Sequence, residues 1–315
     1  MKNKVLIVDQ MHESIIDMLG EAGFRPDYQP DITRAEVLKI IGGYEGIIVR
    51  SKTRIDKELI DLATNLQFVA RAGAGIDNVD YKEISERNIK LVNAPEGNRD
   101  ALGEHTIGML LTLLHKIHIA NFEVKKGAWH REANRGWELR GKTVGIYGFG
   151  YMGSAFAKKL RGFDCNVIVY DKYKTGLSND FINQVDLKTF QKETEILSLH
   201  VPLTSETKYL FDEYYLDQFP NLRILLNTAR GEILSLRALE SLLENSRLIG
   251  VGLDVLENEK IHQLNTEEQN IFNKLAARDN VIMTPHIAGW TFESYKRINE
   301  VLVSKLQEEG LAQVR

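Results

Sequence analysis

Through the first hundred positions, short apolar runs alternate with stretches whose apolar residues recur at helical spacing. Residues 5–8 read as a strand buried on both faces. The next stretch places Ile15, Ile16 and Leu19 on one helical face and stops near Gly23. Thr33 and Glu36 have capping-box spacing ahead of a helix over 37–41. Further strands are predicted at 46–49, 68–70 and 91–92, with helices at 57–63 and 81–87 between them. This alternation implies a parallel sheet with helices on both faces.

The pattern then lengthens. Residues 100–119 read as one long helix rich in Leu, Ile and Met, joining the small α/β domain to a second one. Residues 120–140 are polar and irregular, with Trp129 and Trp137 marking a subunit contact or covering their own domain. A strand at 143–147 leads into Gly148, Gly150 and Gly153, a G-x-G-x-x-G turn. Met152, Phe156, Leu160 and Phe163 then follow at helical spacing, and a strand at 166–170 ends at Asp171. In such a turn the first glycine permits the bend. The second lets a pyrophosphate approach the backbone, and the third lets helix and strand pack closely. Free N–H groups at the helix start favour phosphates. Asp171 lies near the offset of roughly 20 residues at which an acid meets the ribose hydroxyls. A carboxylate there favours NAD over NADP, while Lys172 and Lys174 argue the other way.

Downstream, strands at 196–199, 224–226, 248–253 and 281–283 end in polar residues: His200, the run from Asn227 to Arg230, Asp254, and Thr284 to His286. Ligands in open α/β sheets bind beyond the carboxyl ends of the strands. Arg50 and Arg71 also follow strands directly, so either can hold an anion, or else face solvent or pair with a surface acid. A last helix over 292–308 carries Tyr295, Ile298, Val301, Leu302 and Leu306 on one face and is expected to pack on the first domain.

Composition narrows the function. The chain has 315 residues, 43% hydrophobic and 27% charged, with a formal net charge of −4. That length suits two domains or one large one. Without a long basic run, nucleic acid or an anionic membrane is not expected as the main partner. The one cysteine, Cys165, excludes an intrachain disulfide and reads as a small buried residue entering a strand. The N-terminal apolar run is too short for a signal peptide, and 107–114 is too short to cross a bilayer. A soluble cytoplasmic protein is expected. No Cys or His cluster has ligand spacing, so no metal is expected.

Hydride transfer to or from a nicotinamide needs a proton donor or acceptor at the carbon–oxygen group, and histidine is suited to this. His12, His105, His115, His118, His130 and His262 fall on helices or polar stretches, whereas His200 and His286 end strands. The pattern does not choose between those two. Arg230 could bind a carboxylate, form a salt bridge or contact a phosphate. Glu257 or Glu259 could sit beside a histidine and favour its charged form, or face solvent.

The segments VRSKT at 49–53, RAGAGIDNVD at 71–80, VNAPEGN at 92–98 and GEHT at 103–106 carry a resemblance, as do HVPLT at 200–204, NTARGE at 227–232, GLDVLENE at 252–259 and TPHIAG at 284–289. Together with the glycine turn, they make the chain similar, over nearly its whole length, to the D-isomer-specific 2-hydroxyacid dehydrogenases. The likeness is greatest to the branch that oxidises D-3-phosphoglycerate to 3-phosphohydroxypyruvate. It implies two Rossmann-like or flavodoxin-like parallel α/β domains of formate/glycerate dehydrogenase type. One domain would comprise 1–98 with 287–315 and bind substrate; the other, 99–286, would bind NAD. Their double connection implies a hinge.

The resemblance also implies roles. Arg230 holds and polarises the 2-oxo acid, His286 exchanges the proton, and Glu259 orients His286. The implied cofactor surface is Thr106, Gly148, Gly150, Tyr151, Met152, Gly153, Asp171, His200, Val201, Pro202, Thr207, Thr228, Ala229, Asp254, His286 and Gly289. Asp254 is expected at the nicotinamide carboxamide. Gly73 and Ala74 present N–H groups to the substrate carboxylate, and Arg50 and Arg71 meet a phosphorylated substrate. Arg131 resembles an arginine that reaches a partner's site in a homodimer built through the cofactor domain. Lys260 replaces a usual proline, 260–280 reads as a long loop, and Trp290 stands where a smaller residue is common and could crowd the pocket. No regulatory domain, and so no serine feedback, is expected after Arg315. The alternatives are a glyoxylate or hydroxypyruvate reductase and, from another class, a dinucleotide-sensing protein like a corepressor.

Overall fold

The computed structural model describes residues 3–311. The chain divides into two compact units: residues up to Arg99 with those from Trp290 on, and Asp100–Gly289.

The first unit begins with β1 (Lys4–Ile7), α1 (Ser14–Glu21), β2 (Arg25–Tyr28), α2 (Arg34–Ile40) and β3 (Gly46–Val49). It continues through α3 (Lys57–Leu62), β4 (Phe68–Arg71), α4 (Tyr81–Glu86) and β5 (Lys90–Asn93). The strands form a parallel sheet in the order β2-β1-β3-β4-β5. This is a flavodoxin-like order, with its switch point between β1 and β3. Side-chain alternation along β1 divides the core into two layers. Val5 and Ile7 pack with Ile15 and Leu19 on one face, while Leu6 and Val8 pack with Val37 and Ile41 on the other. Ile16, expected on the buried face of α1, is instead 40% exposed. The capping box at α2 forms as its spacing predicts: Thr33 accepts from the Glu36 N–H, and the Thr33 N–H donates to the Glu36 carboxylate at 2.8 Å. β2 gave no strand signal, because it is a short edge strand containing Pro26, which an edge tolerates.

Helix α5 (Pro95–Leu114) carries the chain into the second unit and is followed by α6 (Ile117–Lys125). The single helix expected over 100–119 is therefore two helices, and the irregular stretch expected from 120 begins six residues late. The break is at Lys116, which has φ 52°. There the Leu114 carbonyl accepts the N–H of Trp137, while Gly136 packs so closely that a Cβ would lie 2.4 Å from that oxygen. The unit continues with β6 (Thr143–Tyr147), α7 (Tyr151–Leu160), β7 (Asn166–Tyr170), β8 (Ile182–Gln184), α8 (Leu187–Glu193) and β9 (Ile196–Leu199). It ends with α9 (Glu213–Leu216), β10 (Ile224–Asn227), α10 (Leu236–Glu244), β11 (Gly250–Leu253), α11 (Thr266–Ala276) and β12 (Val281–Met283). All seven strands are parallel, in the order β12-β11-β10-β9-β6-β7-β8. The chain reverses its direction of winding at β6 and β9, the Rossmann-type switch point.

The expected loop at 260–280 holds α11, started by an Asn265–Glu268 capping box. Its apolar pattern is faint because Leu275 is its one fully buried residue. Cys165 is buried just before β7, and burial pushes its thiol pKa up. The last helix, α12 (Phe292–Glu308), belongs to the first unit. Ile298, Leu302 and Leu306 join the layer containing Val5 and Ile15. Gly97 is required there, since a Cβ would lie 2.7 Å from the Ile298 Cα.

Candidate active site

The glycine turn assigns a different physical reason to each glycine. Gly148 has φ 92°, and a Cβ on it would lie 2.9 Å from the His200 carbonyl oxygen. A Cβ on Gly153 would lie 2.2 Å from the Gly148 oxygen, so α7 can start this close to β6 only without a side chain. A Cβ on Gly150 would meet nothing within 4 Å, and its φ of −84° suits any residue. Nothing inside the protein therefore demands glycine at 150. The cradle it leaves open, at the N-terminus of a ten-residue helix, fits a pyrophosphate.

Asp171 is tied into this turn. One carboxylate oxygen accepts from the Phe149 N–H at 2.8 Å, and the other accepts from Tyr173 and Lys174, each at 3.0 Å. The two lysines that obscured cofactor choice are already engaged. Lys172 bonds Glu206 at 2.7 Å, and Lys174 donates to the Phe149 carbonyl at 3.1 Å. The bonds to Lys172 and Tyr173 hold the Glu206 carboxyl below its usual range. With both cations occupied, an acid at 171 favours free ribose hydroxyls over a 2′-phosphate.

The two strand-end histidines diverge. His200 is 9% exposed, its Nε2 bonded to Ser198 Oγ at 2.8 Å and its ring tilted against Phe156. Burial pushes its pKa down to about 3. His286 is exposed, and its Nδ1 lies 2.9 and 3.1 Å from the two oxygens of Glu259. An ionised carboxylate only accepts, so this contact puts the ring proton on Nδ1 and leaves Nε2 open. The second acid, Glu257, instead accepts the Leu236 N–H at 2.6 Å, and burial pushes its pKa up. The structure thus separates two pairs of residues that the sequence pattern could not.

Asp254 organises the His286 turn. It is 1% exposed. Its Oδ1 accepts from the Thr284 hydroxyl at 2.6 Å and the Ile287 N–H at 2.9 Å, and its Oδ2 from the Ala288 N–H at 2.8 Å. Its carbonyl accepts the His286 N–H at 2.8 Å. Both carboxylate oxygens are thus engaged inside the chain, at a residue the resemblance sends to the nicotinamide. His105 on α5, which the pattern treats as solvated or structural, joins this cluster with Nε2 3.1 Å from the Thr284 hydroxyl. Its companion in the GEHT segment, Thr106, donates to the Leu102 carbonyl at 2.7 Å and lies 3.4 Å from the Thr228 hydroxyl.

Arg230 sits just past β10. Asn227 braces the turn, accepting from Ala229 N–H and donating to the Arg230 carbonyl. A Cβ on Gly231 would lie 2.0 Å from Leu256, so the glycine lets the segment leading to Glu259 pass against the Arg230 turn. Thr207 caps the neighbouring turn, donating to the Pro202 carbonyl at 2.6 Å.

At the edge of the other sheet, Arg50 follows β3 and Arg71 ends β4, with Val49 and Arg71 in register. Gly73 has φ 136°, and a Cβ there would lie 2.0 Å from Arg71 Nη1. Arg131 lies on an exposed turn of the arm. Trp290, expected to crowd the pocket, stacks on Arg50. Among the described residues no group of three His, Cys, Asp or Glu side chains could hold a metal, and no helix is long and apolar enough to cross a membrane.

Known proteins resemble the chain over most of its length. Residues 107–288, more than half of the chain, match the family model described as D-isomer specific 2-hydroxyacid dehydrogenase, NAD binding domain. D-3-phosphoglycerate dehydrogenase of Archaeoglobus fulgidus is 33% identical over 305 residues, covering 96% of this chain and 56% of that protein. The chain spans about half the length of the phosphoglycerate dehydrogenases it matches. Hydroxypyruvate reductase of Thermotoga maritima is 36% identical over 280 residues, covering 88% of this chain and 89% of that one. The crystal structure of D-lactate dehydrogenase from Aquifex aeolicus, complexed with NAD and lactic acid, superposes with a TM-score of 0.81 at 27% identity. It covers 98% of this chain and 96% of that one. With its glycine cradle, its two parallel sheets and these matches, the chain belongs to the D-isomer specific 2-hydroxyacid dehydrogenase family.

Proposed function

We propose that the protein interconverts a D-2-hydroxy acid and its 2-oxo acid with NAD, and that the pair is D-3-phosphoglycerate and 3-phosphohydroxypyruvate, as in serine synthesis. The observation that carries the chemistry is the contact between His286 Nδ1 and Glu259 at 2.9 Å. Bound NAD supplies the hydride acceptor or donor. His286 Nε2 takes the hydroxyl proton during oxidation and returns it to the carbonyl during reduction. Glu259 fixes the ring's tautomer and its direction. Arg230 holds the substrate carboxylate and polarises the adjacent carbonyl. The N–H groups of Gly73 and Ala74 assist at the carboxylate, and Arg50 and Arg71 take the phosphate.

The protein works as a cytoplasmic homodimer formed through its cofactor unit. In support, Phe122 and Trp129 are 58% and 80% exposed on α6 and the following arm. Large apolar side chains left this exposed are suited to a contact surface.

The test is NADH absorbance decay with 3-phosphohydroxypyruvate, hydroxypyruvate and glyoxylate. A strong preference for the phosphorylated acid is expected. The Thermotoga maritima relative, similar over most of both chains, supports a second reading as a hydroxypyruvate reductase. Equal or faster turnover of the unphosphorylated acids would establish it. Binding of NADH without turnover of any acid would overturn both and favour a dinucleotide sensor.

A further inference from the structure

Past the end of β3, the first unit holds an arginine in an unusual setting. The Arg50 guanidinium carbon lies 3.6 Å from the centroid of the Trp290 ring and 5.8 Å from that of Tyr295. The two rings are themselves 5.0 Å apart. The backbone is fixed as well, with the Arg50 N–H donating to Asp9 Oδ2 at 2.7 Å and the Lys52 N–H to Asp9 Oδ1 at 3.2 Å. The nearby Asp9 carboxylate is thus engaged by main-chain donors. Among the described residues no carboxylate pairs with the Arg50 guanidinium. Burial pushes the pKa of this group down, because its charge is poorly hydrated.

A guanidinium is planar, with its five N–H donors in the plane. An indole against one face costs it water there but fixes the plane and leaves the donor edge free. Such an edge matches a carboxylate or phosphate. The register of β3 and β4 brings Arg71 to the adjacent strand end. A 2-oxo acid with a single carboxylate carries no second anion for such an edge.

We propose that Trp290 is a specificity-determining residue: by stacking on Arg50 it presents the guanidinium edge to the second anionic group of a dianionic substrate. The inference rests on the proposed dehydrogenase reading and specifies its substrate class. It also gives a purpose to the indole that follows Gly289.

Two measurements test it. In turnover assays, Trp290→Ala raises KM for 3-phosphohydroxypyruvate about 10-fold, as expected for losing a partly desolvated cation–π contact. Its kcat stays within about twofold, as does its kcat/KM for glyoxylate. Trp290→Phe, which keeps an aromatic face, returns KM to within about threefold of wild type. Equal loss on both substrates, or no change on either, would overturn the proposal. In the second measurement, inorganic phosphate is titrated against intrinsic tryptophan fluorescence without cofactor. The wild-type change should vanish in Trp290→Phe and in Arg50→Gln. A change that persists in either variant counts against an anion at this stack. Absence of any turnover would defeat the proposed function alone, because the titration reads the Arg50–Trp290 site without a reaction.

Discussion

Two turns at the carboxyl edge of the seven-stranded sheet solve opposite problems. The turn after β6 must clear space, and it does so by removing side chains: Gly148 has φ 92°, and Gly150 leaves a cradle open. The turn after β12 must present a side chain, yet His286 also has a left-handed backbone, with φ 56°. That conformation costs a non-glycine residue roughly 1–2 kcal/mol. Here hydrogen bonds offset it. The His286 N–H reaches the Asp254 and Thr284 carbonyls, and the buried Asp254 carboxylate accepts from three more donors of the same turn. A turn shaped for a ligand is thus written in residue types, whereas a turn shaped to aim a side chain is written in its partners.

The largest effect expected from this contrast is on His286 itself. His286→Gln should lower kcat by about 10²–10⁴-fold, the usual contribution of a general acid–base residue. The melting temperature should stay at the wild-type value, so a large loss of stability in this variant would assign the histidine a structural role. Asp254→Asn comes next. Its amide would set a donor against the Ala288 or Ile287 N–H, at a cost of about 1–3 kcal/mol. Thermal melts should fall, and kcat should drop about 10- to 100-fold as the turn loses its aim. An unchanged melt with unchanged kcat would show that partners do not hold this turn.

The glycine turn can be tested by comparing two of its own positions. Gly153→Ala forces a Cβ against the Gly148 oxygen and should destabilise by about 1–3 kcal/mol. Gly150→Ala meets no protein atom, so stability should hold or rise slightly. Its cost falls on the ligand instead, about tenfold in NADH affinity for a steric penalty near 1.4 kcal/mol. Equal melting losses in the two variants would contradict the separate roles drawn here.

At neutral pH the smallest effect concerns His200, whose backbone oxygen sits against Gly148. Its pKa is pushed down to about 3 by burial, against an ordinary value near 6.5. The unfolded chain therefore binds a proton at this residue that the folded chain does not. The stability tied to His200 is complete above about pH 6.5 and is lost as pH falls toward 3. Denaturant melts between pH 4 and 7 should show that slope, and His200→Gln should flatten part of it. An identical slope in the variant would move the effect to other groups.

Several features are legible in the amino-acid sequence. The glycine spacing, the strand ends, the Thr33–Glu36 cap and the run from Phe292 each follow from local rules acting on neighbouring residues. What escaped was locally weak. β2 and β8 are short, polar edge strands that make few demands on side chains. α11 buries little, so its capping box was its clearest sign, and the break at Lys116 depends on a carbonyl taken by Trp137.

Residue type and period alone determined that this chain forms parallel α/β sheets with a dinucleotide turn, because steric permission and hydrophobic alternation are properties of a few adjacent positions. Residue type and spacing left open which histidine stays buried and which meets a glutamate; the tertiary structure sets His200 in the core and His286 beside Glu259. It also sets Arg50 against an indole 240 residues away along the chain. Burial, desolvation and hydrogen-bond satisfaction depend on what the rest of the chain places around a group, and the order of residues does not state that.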